Sequence, residues 1–337
     1  MNDNIYDIII DIENFEDLKD KGWKIEMNEK GENKYEYFKD VSNNNYGEKE
    51  LNRIGILGGG NVGKTFILHK LLGKQYNDKI KTRGISVIYP EIEEKDKLFV
   101  CLDTCNTLNT SLFVKNLSNE EVFNLSDKER TNYMKDLIKD KIFRNIFIED
   151  FIIEKANILI IVVNQLSFKE QKYLNRLKMS WCYDKLFVIH NLQFFGNKEI
   201  IEDYIENTIK KSMFSNLEKG YIKNLYENDS NSNENAYYYI EKEFGCINNN
   251  ENSYRAIYHL FMAKEGSDAG KFFNDNTIDF IRMQIIYQHM TKIFDVLEEI
   301  KEFLSFNSLI YMIKEENKER PIDKDEIEIK TENEVTI

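Results

Sequence analysis

Proline is almost missing from this chain: there are 2 in 337 residues. Long stiff linkers of the proline-rich kind are therefore not expected. No apolar run approaches the roughly 18 residues that a membrane-crossing helix needs, so no transmembrane segment is expected. The N-terminus is acidic and shows no basic-then-apolar leader pattern, so no secretory signal is expected either. The four cysteines, Cys101, Cys105, Cys182 and Cys246, have no metal-ligand spacing. They read as reduced thiols of a cytoplasmic protein. Positive charge is in short supply: 46 Lys and Arg face 59 Asp and Glu, for a net charge of −13. That balance argues against a general nucleic-acid binder, and against a protein held on anionic lipid by charge alone.

What is present is a globular share of apolar residues, 42%, in a chain long enough for one large domain or two ordinary ones. Its most informative stretch is Gly58-Gly59-Gly60-Asn61-Val62-Gly63-Lys64-Thr65. Gly, four residues, then Gly-Lys-Thr is the spacing of a phosphate-binding loop. Successive backbone N–H groups in such a loop form a concave nest for phosphate oxygens, and the following helix adds its positive end. Lys64 would reach the outer phosphates, and the Thr65 hydroxyl would ligate Mg²⁺. The context suits this. Ile54-Gly55-Ile56-Leu57 reads as a buried strand before the loop, and Thr65 to Leu72 as a helix stopped by Gly73.

Residues 1–50 read as an N-terminal extension, with Trp23 as a packing anchor. Ile85 to Tyr89 and Leu98 to Leu102 read as strands, and the short charged turn between them favours an antiparallel hairpin. The second strand ends in Asp103-Thr104, where a Mg²⁺-organising carboxylate sits after a phosphate loop. Ser126-x-x-Glu129 and Ser167-x-x-Glu170 are capping boxes. They start helices running to about Lys155, with Ile138 and Ile142 among its apolar positions, and to about Lys178. Ile158 to Val163, Leu186 to Ile189 and Ala256 to Met262 read as buried strands. Tyr237 to Ile240 is an edge strand or a short helix. A last helix is expected over Thr277 to Phe306. Its apolar spacing from Ile286 to Leu304 suits either packing on its own domain or a two-helix seam between copies. Residues 307–337 form a charged tail expected to be disordered. The alternation of elements predicts an α/β fold with three layers and a mainly parallel central sheet over residues 51–306.

The order of sites resembles a P-loop GTPase. The loop is Gly58 to Thr65, with Phe66 after it. Thr82 stands where a switch I threonine closes on Mg²⁺, Asp103 matches the switch II acid, and Ala263-Lys264 is similar to the loop whose backbone N–H contacts the guanine oxygen. Thr82-Arg83-Gly84-Ile85, Leu102-Asp103-Thr104 and Lys70-Leu71-Leu72-Gly73 resemble guanylate-binding and atlastin-type large GTPases, and the whole arrangement is similar to protist GTPases. Asn61 before Val62-Gly63-Lys64 resembles the loop of potassium-stimulated GTPases, whose asparagine helps to hold K⁺. A loop asparagine chosen for backbone geometry is the other reading. The chain departs from the pattern in three places. Asn106 and Thr107 follow Cys105 in place of the switch II glycine and glutamine. The usual Asn-Lys-x-Asp is replaced around Asn191. That residue is either its first asparagine, with Leu192 and Phe194 for Lys and Asp, or stands in for the acid itself.

The resemblance implies a Mg²⁺-dependent GTP-binding and GTP-hydrolysing switch. Lys64, Thr82 and Asn61 would serve catalysis, and Thr65, Thr82 and Asp103 the metal. The nucleotide would contact residues 58–66, Asn191, Ala263 and Lys264. A protein that holds nucleotide without turnover and a P-loop ATPase are the alternatives. Mg²⁺ is the implied cofactor, with K⁺ as a second ion. GTP or GDP and a protein effector are the implied partners. A homodimer would form through the nucleotide face or the C-terminal helix.

Overall fold

A computed structural model describes residues 5–12, 14–15, 17–20, 22–43, 50–74, 82–92, 99–105, 119–180, 185–212, 217–222, 236–244, 254–286, 291–292, 295–311 and 335–336. In chain order the first elements are β1 (Ile8–Asp11), α1 (Asp17–Asp20), β2 (Lys24–Met27), α2 (Glu29–Asn43), β3 (Glu50–Gly58) and α3 (Lys64–Leu72). Next come β4 (Ile85–Ile88), β5 (Phe99–Thr104), α4 (Asn119–Asn124), α5 (Asp127–Lys155), β6 (Ile158–Val163), α6 (Phe168–Ser180) and β7 (Lys185–Leu192). Helix α7 (Lys198–Tyr204) passes through a π turn (Ile205–Ile209) into α8 (Lys210–Ser212). The last elements are β8 (Leu217–Tyr221), β9 (Tyr237–Phe244), β10 (Tyr254–Ala263), α9 (Asp268–Ile286), β11 (Thr291–Lys292), α10 (Val296–Tyr311) and β12 (Val335–Thr336).

The chain divides into two compact units, one of residues 1–51, 79–154 and 292–337, the other of residues 52–78 and 155–291. In the first unit every described pairing is antiparallel, in the order β12-β2-β1-β4-β5. The hairpin expected from the turn after β4 is there, with Ile85 opposite Thr104. Residues 1–50 do more than extend the chain, because β1 and β2 supply sheet strands, with Ile10 opposite Ile85. Phe15, Trp23, Phe147, Phe151 and Phe303 form its aromatic core, with Trp23 and Phe147 centroids 5.2 Å apart. Trp23 is 1% exposed and donates its indole N–H to Asn14. Rings of this size each bury a large apolar area, which holds α5 and α10 to this sheet. Helix α5 packs by its C-terminal half. Ile138 and Ile142, expected on its apolar face, are exposed.

In the second unit β3, β6, β7 and β10 are parallel neighbours, and β9 and β8 extend the sheet antiparallel. Parallel pairing is confined to these four strands among the described residues, and β9 and β8 make the sheet of this unit mixed. The runs Ile158–Val163 and Leu186–Ile189 are buried throughout, as strands covered on both faces must be. Both capping boxes close, with Glu129 and Glu170 accepting from the backbone N–H of Ser126 and Ser167. Tyr237–Phe244 is an inner strand, not an edge, because β8 pairs along its outer side.

The single helix expected over Thr277 to Phe306 is two, α9 and α10, so no continuous seam runs along it. Asp295 interrupts it. Its carboxylate accepts the N–H groups of Leu297 (2.9 Å) and Glu298 (3.2 Å), the capping geometry that begins a new helix. Ile300, Phe303 and Leu304 of α10 are buried, and Phe303 packs on Phe147 and Phe151 of its own unit. Most of the 307–337 tail lies outside the described residues; Val335 and Thr336 pair with β2.

A buried polar chain crosses the second unit. Lys178 pairs with Glu241, whose Oε2 lies 3.1 Å from His259 Nε2; His259 Nδ1 lies 3.1 Å from His190 Nε2. One tautomer set satisfies it: His190 Nε2–H donates to His259, and His259 Nε2–H donates to Glu241. His190 Nδ1 then remains an acceptor with no partner among the described residues. Burial pushes both imidazoles below their ordinary range, His190 furthest, with the His259 and Lys178 charges adding to it. Burial alone would raise the Glu241 carboxyl, but the His259 hydrogen bond and the Lys178 charge hold it down at about 2.

The pH dependence follows in sign. Below the ordinary histidine value of 6.5 the unfolded chain takes up protons that the folded core refuses, so stability falls as pH falls. Glu241 adds a further loss below its ordinary 4.5, down to about 2. The melting temperature should therefore drop between about pH 7 and pH 5. A flat profile over that range would remove the buried-neutral assignment. Glu241→Gln, which leaves Lys178 without its charge partner, should cost about 3 kcal/mol in denaturant titration.

Candidate functional site

The loop between β3 and α3 is a run of backbone positions that side chains would obstruct. Gly58 has φ 152°, and a Cβ there would lie 2.4 Å from the Val162 carbonyl of β6. Gly63 has φ 89°, and a Cβ there would lie 2.2 Å from Asn191 Nδ2. Asn61 has φ 57°, the one described non-glycine residue with positive φ. Asparagine tolerates that left-handed conformation better than other side chains, which gives Asn61 a backbone reason to be there. Its side chain is exposed.

Gly63 is also the N-cap of α3, with no side-chain cap and no acid in the first turn. The first N–H groups of α3 thus keep their positive end unneutralised by side chains. The Lys64 ammonium lies buried over the loop and donates to the Gly58 (2.9 Å) and Gly59 (2.8 Å) carbonyls. Thr65 and Phe66 are half-buried on the first turn. Gly73 closes α3 in the left-handed conformation, its N–H returning to the last-turn carbonyls.

Asn191, at the end of β7, braces this loop from below. It is 2% exposed, and its Nδ2 donates to the Val62 carbonyl at 2.8 Å. Its Oδ1 is buried with no partner among the described residues. Leu192 after it is buried, and Phe194, three residues on, is 83% exposed. The Ala263 N–H donates to Asn274 Oδ1 (2.8 Å), and the Lys264 N–H donates to the Phe195 carbonyl (2.9 Å). The two backbone donors expected to face a base are thus engaged within the fold. Asn274, on α9, was not singled out from the sequence. An asparagine inside an amphipathic helix gives no signal unless its partner is known.

Thr82 and Asp103 meet in the first unit. Thr82 Oγ1 lies 3.2 Å from Asp103 Oδ2. Asp103 is fully buried at the end of β5, and its Oδ1 accepts the Thr104 N–H at 2.8 Å. A third group joins them: the Tyr6 phenol donates to Asp103 Oδ2 at 2.6 Å and lies 2.8 Å from Thr82 Oγ1. Nothing in the sequence marked Tyr6. The Thr82–Gly84 segment is fastened to β1 and β2. Arg83 pairs with Asp11 at 3.0 Å and with Glu26. Burial alone would raise the Glu26 carboxyl, yet Arg83 and Lys24 hold it below its usual range. A Cβ on Gly84 would lie 2.0 Å from the Ile10 carbonyl. Asn106 and Thr107 lie outside the described residues. Among the described residues no cluster of three or more His, Cys, Asp or Glu side chains could hold a metal, and no helix is long and apolar enough to cross a membrane.

No protein-family model matches this sequence, and no curated protein matches it. Several solved structures match the chain in part. Methanosarcina barkeri Roco2 RocCORdC bound to GDP has a TM-score of 0.32 and 12% identity, over 77% of this chain and 57% of that one. The match therefore spans less than two thirds of that chain. An Aquifex aeolicus Era variant bound to GDP and AlF4⁻ gives 0.32 and 13%, over 79% and 69%. A probable GTP-binding protein, EngB, gives 0.28 and 14%, over 70% and 99%. None of these three is a guanylate-binding protein or an atlastin. That likeness stands on the motifs of this chain alone.

Gly84→Ala combines a positive φ of 47° with a clash against the β1 backbone, which cannot move as a side chain can. It should cost about 2 kcal/mol or more in chemical denaturation. A cost under about 0.5 kcal/mol, the ordinary range for a surface change, would show that β1 does not hold this turn.

Proposed function

We propose that this protein is a Mg²⁺-dependent GTP-binding protein that hydrolyses GTP and uses the nucleotide state as a conformational switch. The observation that carries this reading is the Gly58–Thr65 loop. Its glycines leave room for close backbone approach, its asparagine and Gly63 take left-handed angles, Lys64 lies over its carbonyls, and an uncapped helix begins at its end. Phosphate oxygens would replace the Gly58 and Gly59 carbonyls as partners of Lys64 and would accept the N–H groups of the loop. Thr65, Thr82 and Asp103 are the Mg²⁺-side oxygens in this reading, on a three-layer nucleotide-binding fold.

The donor set fits that ion. Hydroxyl and carboxylate oxygens suit Mg²⁺, and the fold brings Thr82 Oγ1 and Asp103 Oδ2 together at 3.2 Å. When bound, Mg²⁺ neutralises charge on the phosphate oxygens; the protein positions them and adds the Lys64 charge. Asn61 is the candidate for holding K⁺ beside the phosphates.

The base end supports a second reading, in which adenine nucleotides are also accepted. Asn191 gives one of its two amide N–H groups to Val62, and the Ala263 and Lys264 backbone N–H groups go to Asn274 and Phe195. In this reading Asn191 takes the place of the first asparagine of the guanine motif, and exposed Phe194 that of the guanine-reading carboxylate. A carboxylate accepting two N–H bonds is worth about 1.5–3 kcal/mol per bond, and its loss flattens the preference for guanine.

Lys64→Ala should abolish binding of GTP in equilibrium titration; unchanged affinity in that variant would sink the site. In competition against labelled GTP, ATP should compete within about tenfold of GTP, one lost hydrogen bond's worth short of strict selectivity. A preference for GTP above about a thousandfold would restore strict guanine reading. Single-turnover phosphate release should run faster in K⁺ than in Na⁺. Equal rates would leave Asn61 with its backbone role alone, and no release in either salt would favour a binding protein without turnover.

A further inference from the structure

We propose that Tyr6 is a positioning residue for Thr82 and Asp103, so that the N-terminal strand is part of the nucleotide-responsive machinery. This rests on the assignment of those two residues as Mg²⁺-side oxygens. The argument is one of proton placement. The Tyr6 phenol has one proton, and Asp103 Oδ2, at 2.6 Å, takes it. The Thr82 hydroxyl also has one proton, and the phenol oxygen, at 2.8 Å, is a nearer acceptor than Asp103 Oδ2, at 3.2 Å. A hydroxyl that gives its proton to a fixed acceptor keeps its lone pairs directed elsewhere, which is the state a cation ligand needs. The Asp103 carboxylate is fixed from both sides, by Thr104 N–H on Oδ1 and the phenol on Oδ2. One phenol thus sets the donor direction of the hydroxyl and the plane of the carboxylate.

The place of Tyr6 is itself over-determined. Its carbonyl accepts from Asn28 Nδ2 at 3.0 Å, and the N–H of Asp7 continues the β1–β4 ladder to Val87 at 2.9 Å. Asp7 Oδ2 accepts the Tyr89 N–H at 2.8 Å and Lys34 Nζ at 3.2 Å. Gly31 lets α2 approach so closely that a Cβ there would lie 2.1 Å from the Asp7 carbonyl. The ring is 1% exposed. Packing alone would be served as well by phenylalanine, but the hydroxyl is directed at the two groups with a role in the metal reading. Hydrogen-bonding partners behind metal ligands typically govern metal affinity by 10–100-fold, and Tyr6 stands in that relation to Thr82 and Asp103.

The test is Tyr6→Phe, which keeps the ring and removes the hydroxyl. Retention of a ribose-labelled fluorescent GTP is titrated with Mg²⁺, and also measured in EDTA. The Mg²⁺ midpoint should rise about tenfold while affinity in EDTA stays the same. An unchanged midpoint overturns the proposal. So does an equal loss with and without Mg²⁺, which would make Tyr6 a merely structural residue. Thr82→Ala should raise the midpoint in the native background and add little in the Tyr6→Phe background; fully additive effects would show that Tyr6 does not act through Thr82. If Tyr6→Phe does not fold, hydrogen exchange on the native chain decides. Amides of residues 7–11 should gain protection with GTP and Mg²⁺ but not with GTP and EDTA, and equal exchange in both overturns the proposal. A native chain that binds no labelled GTP under any condition removes the nucleotide reading, and this inference with it. Loss of binding in Lys64→Ala with a normal Tyr6→Phe midpoint removes only the inference.

Discussion

The amide of Asn191 donating to the Val62 carbonyl is the contact on which the Gly58–Thr65 loop depends. A loop built from glycines and left-handed turns has almost no side chains of its own to pack, so it must be fixed by its surroundings. Here the surroundings press in closely: β6 lies against Gly58, and the Asn191 amide lies where a Gly63 Cβ would be. The glycines therefore serve proximity as much as flexibility. With the loop held this way, the N-terminus of α3 and the Lys64 ammonium, bonded to the Gly58 and Gly59 carbonyls, have fixed directions.

The N-terminal strands do comparable work in the other unit. The segment Thr82–Gly84 would be an ordinary loop were it not for β1 and β2. The Ile10 backbone fills the space beside Gly84, Asp11 and Glu26 take the Arg83 guanidinium, and the Tyr6 phenol reaches Thr82. The Arg83 pairs are partly exposed and contribute modestly on that account. The close backbone approach at Gly84 is a steric condition, so it fixes the register of β1 against β4 whatever the charges do.

How much of this was legible follows from the range of each interaction. The strand–loop–helix around Gly58–Thr65, both capping boxes, the β4–β5 hairpin and the buried strands are local patterns, legible from neighbouring residues. Asp295 shows the limit of periodicity. Apolar spacing of four and three continues through it, but spacing says which residues would share a face if a helix ran on. It does not say whether a carboxylate will take the next N–H groups and start another helix. Tyr6 and Asp103 are 97 residues apart, and Asn191 and Val62 are 129 apart. Contacts of that separation leave no periodic trace in a single sequence. Tyr237 to Ile240 is ambiguous for the opposite reason. Its aromatic run fits an edge strand or a short helix, and only pairing with both β10 and β8 makes it an inner strand.

A net charge of −13 is no obstacle to binding a triphosphate at such a site. The field of distant surface acids is screened within about 8 Å in physiological salt, whereas loop N–H groups and Lys64 act at contact distance. A nucleic-acid backbone presents charge in a line and needs a stripe of cations to match it. A single nucleotide presents its charge at one end and needs one concave nest with one cation. The acidic balance that argues against the first ligand therefore says nothing against the second. Selectivity has to come from the few groups that touch the ligand. In the proposed site those groups are abundant at the phosphate end, while the Ala263 and Lys264 N–H groups at the other end are engaged within the fold.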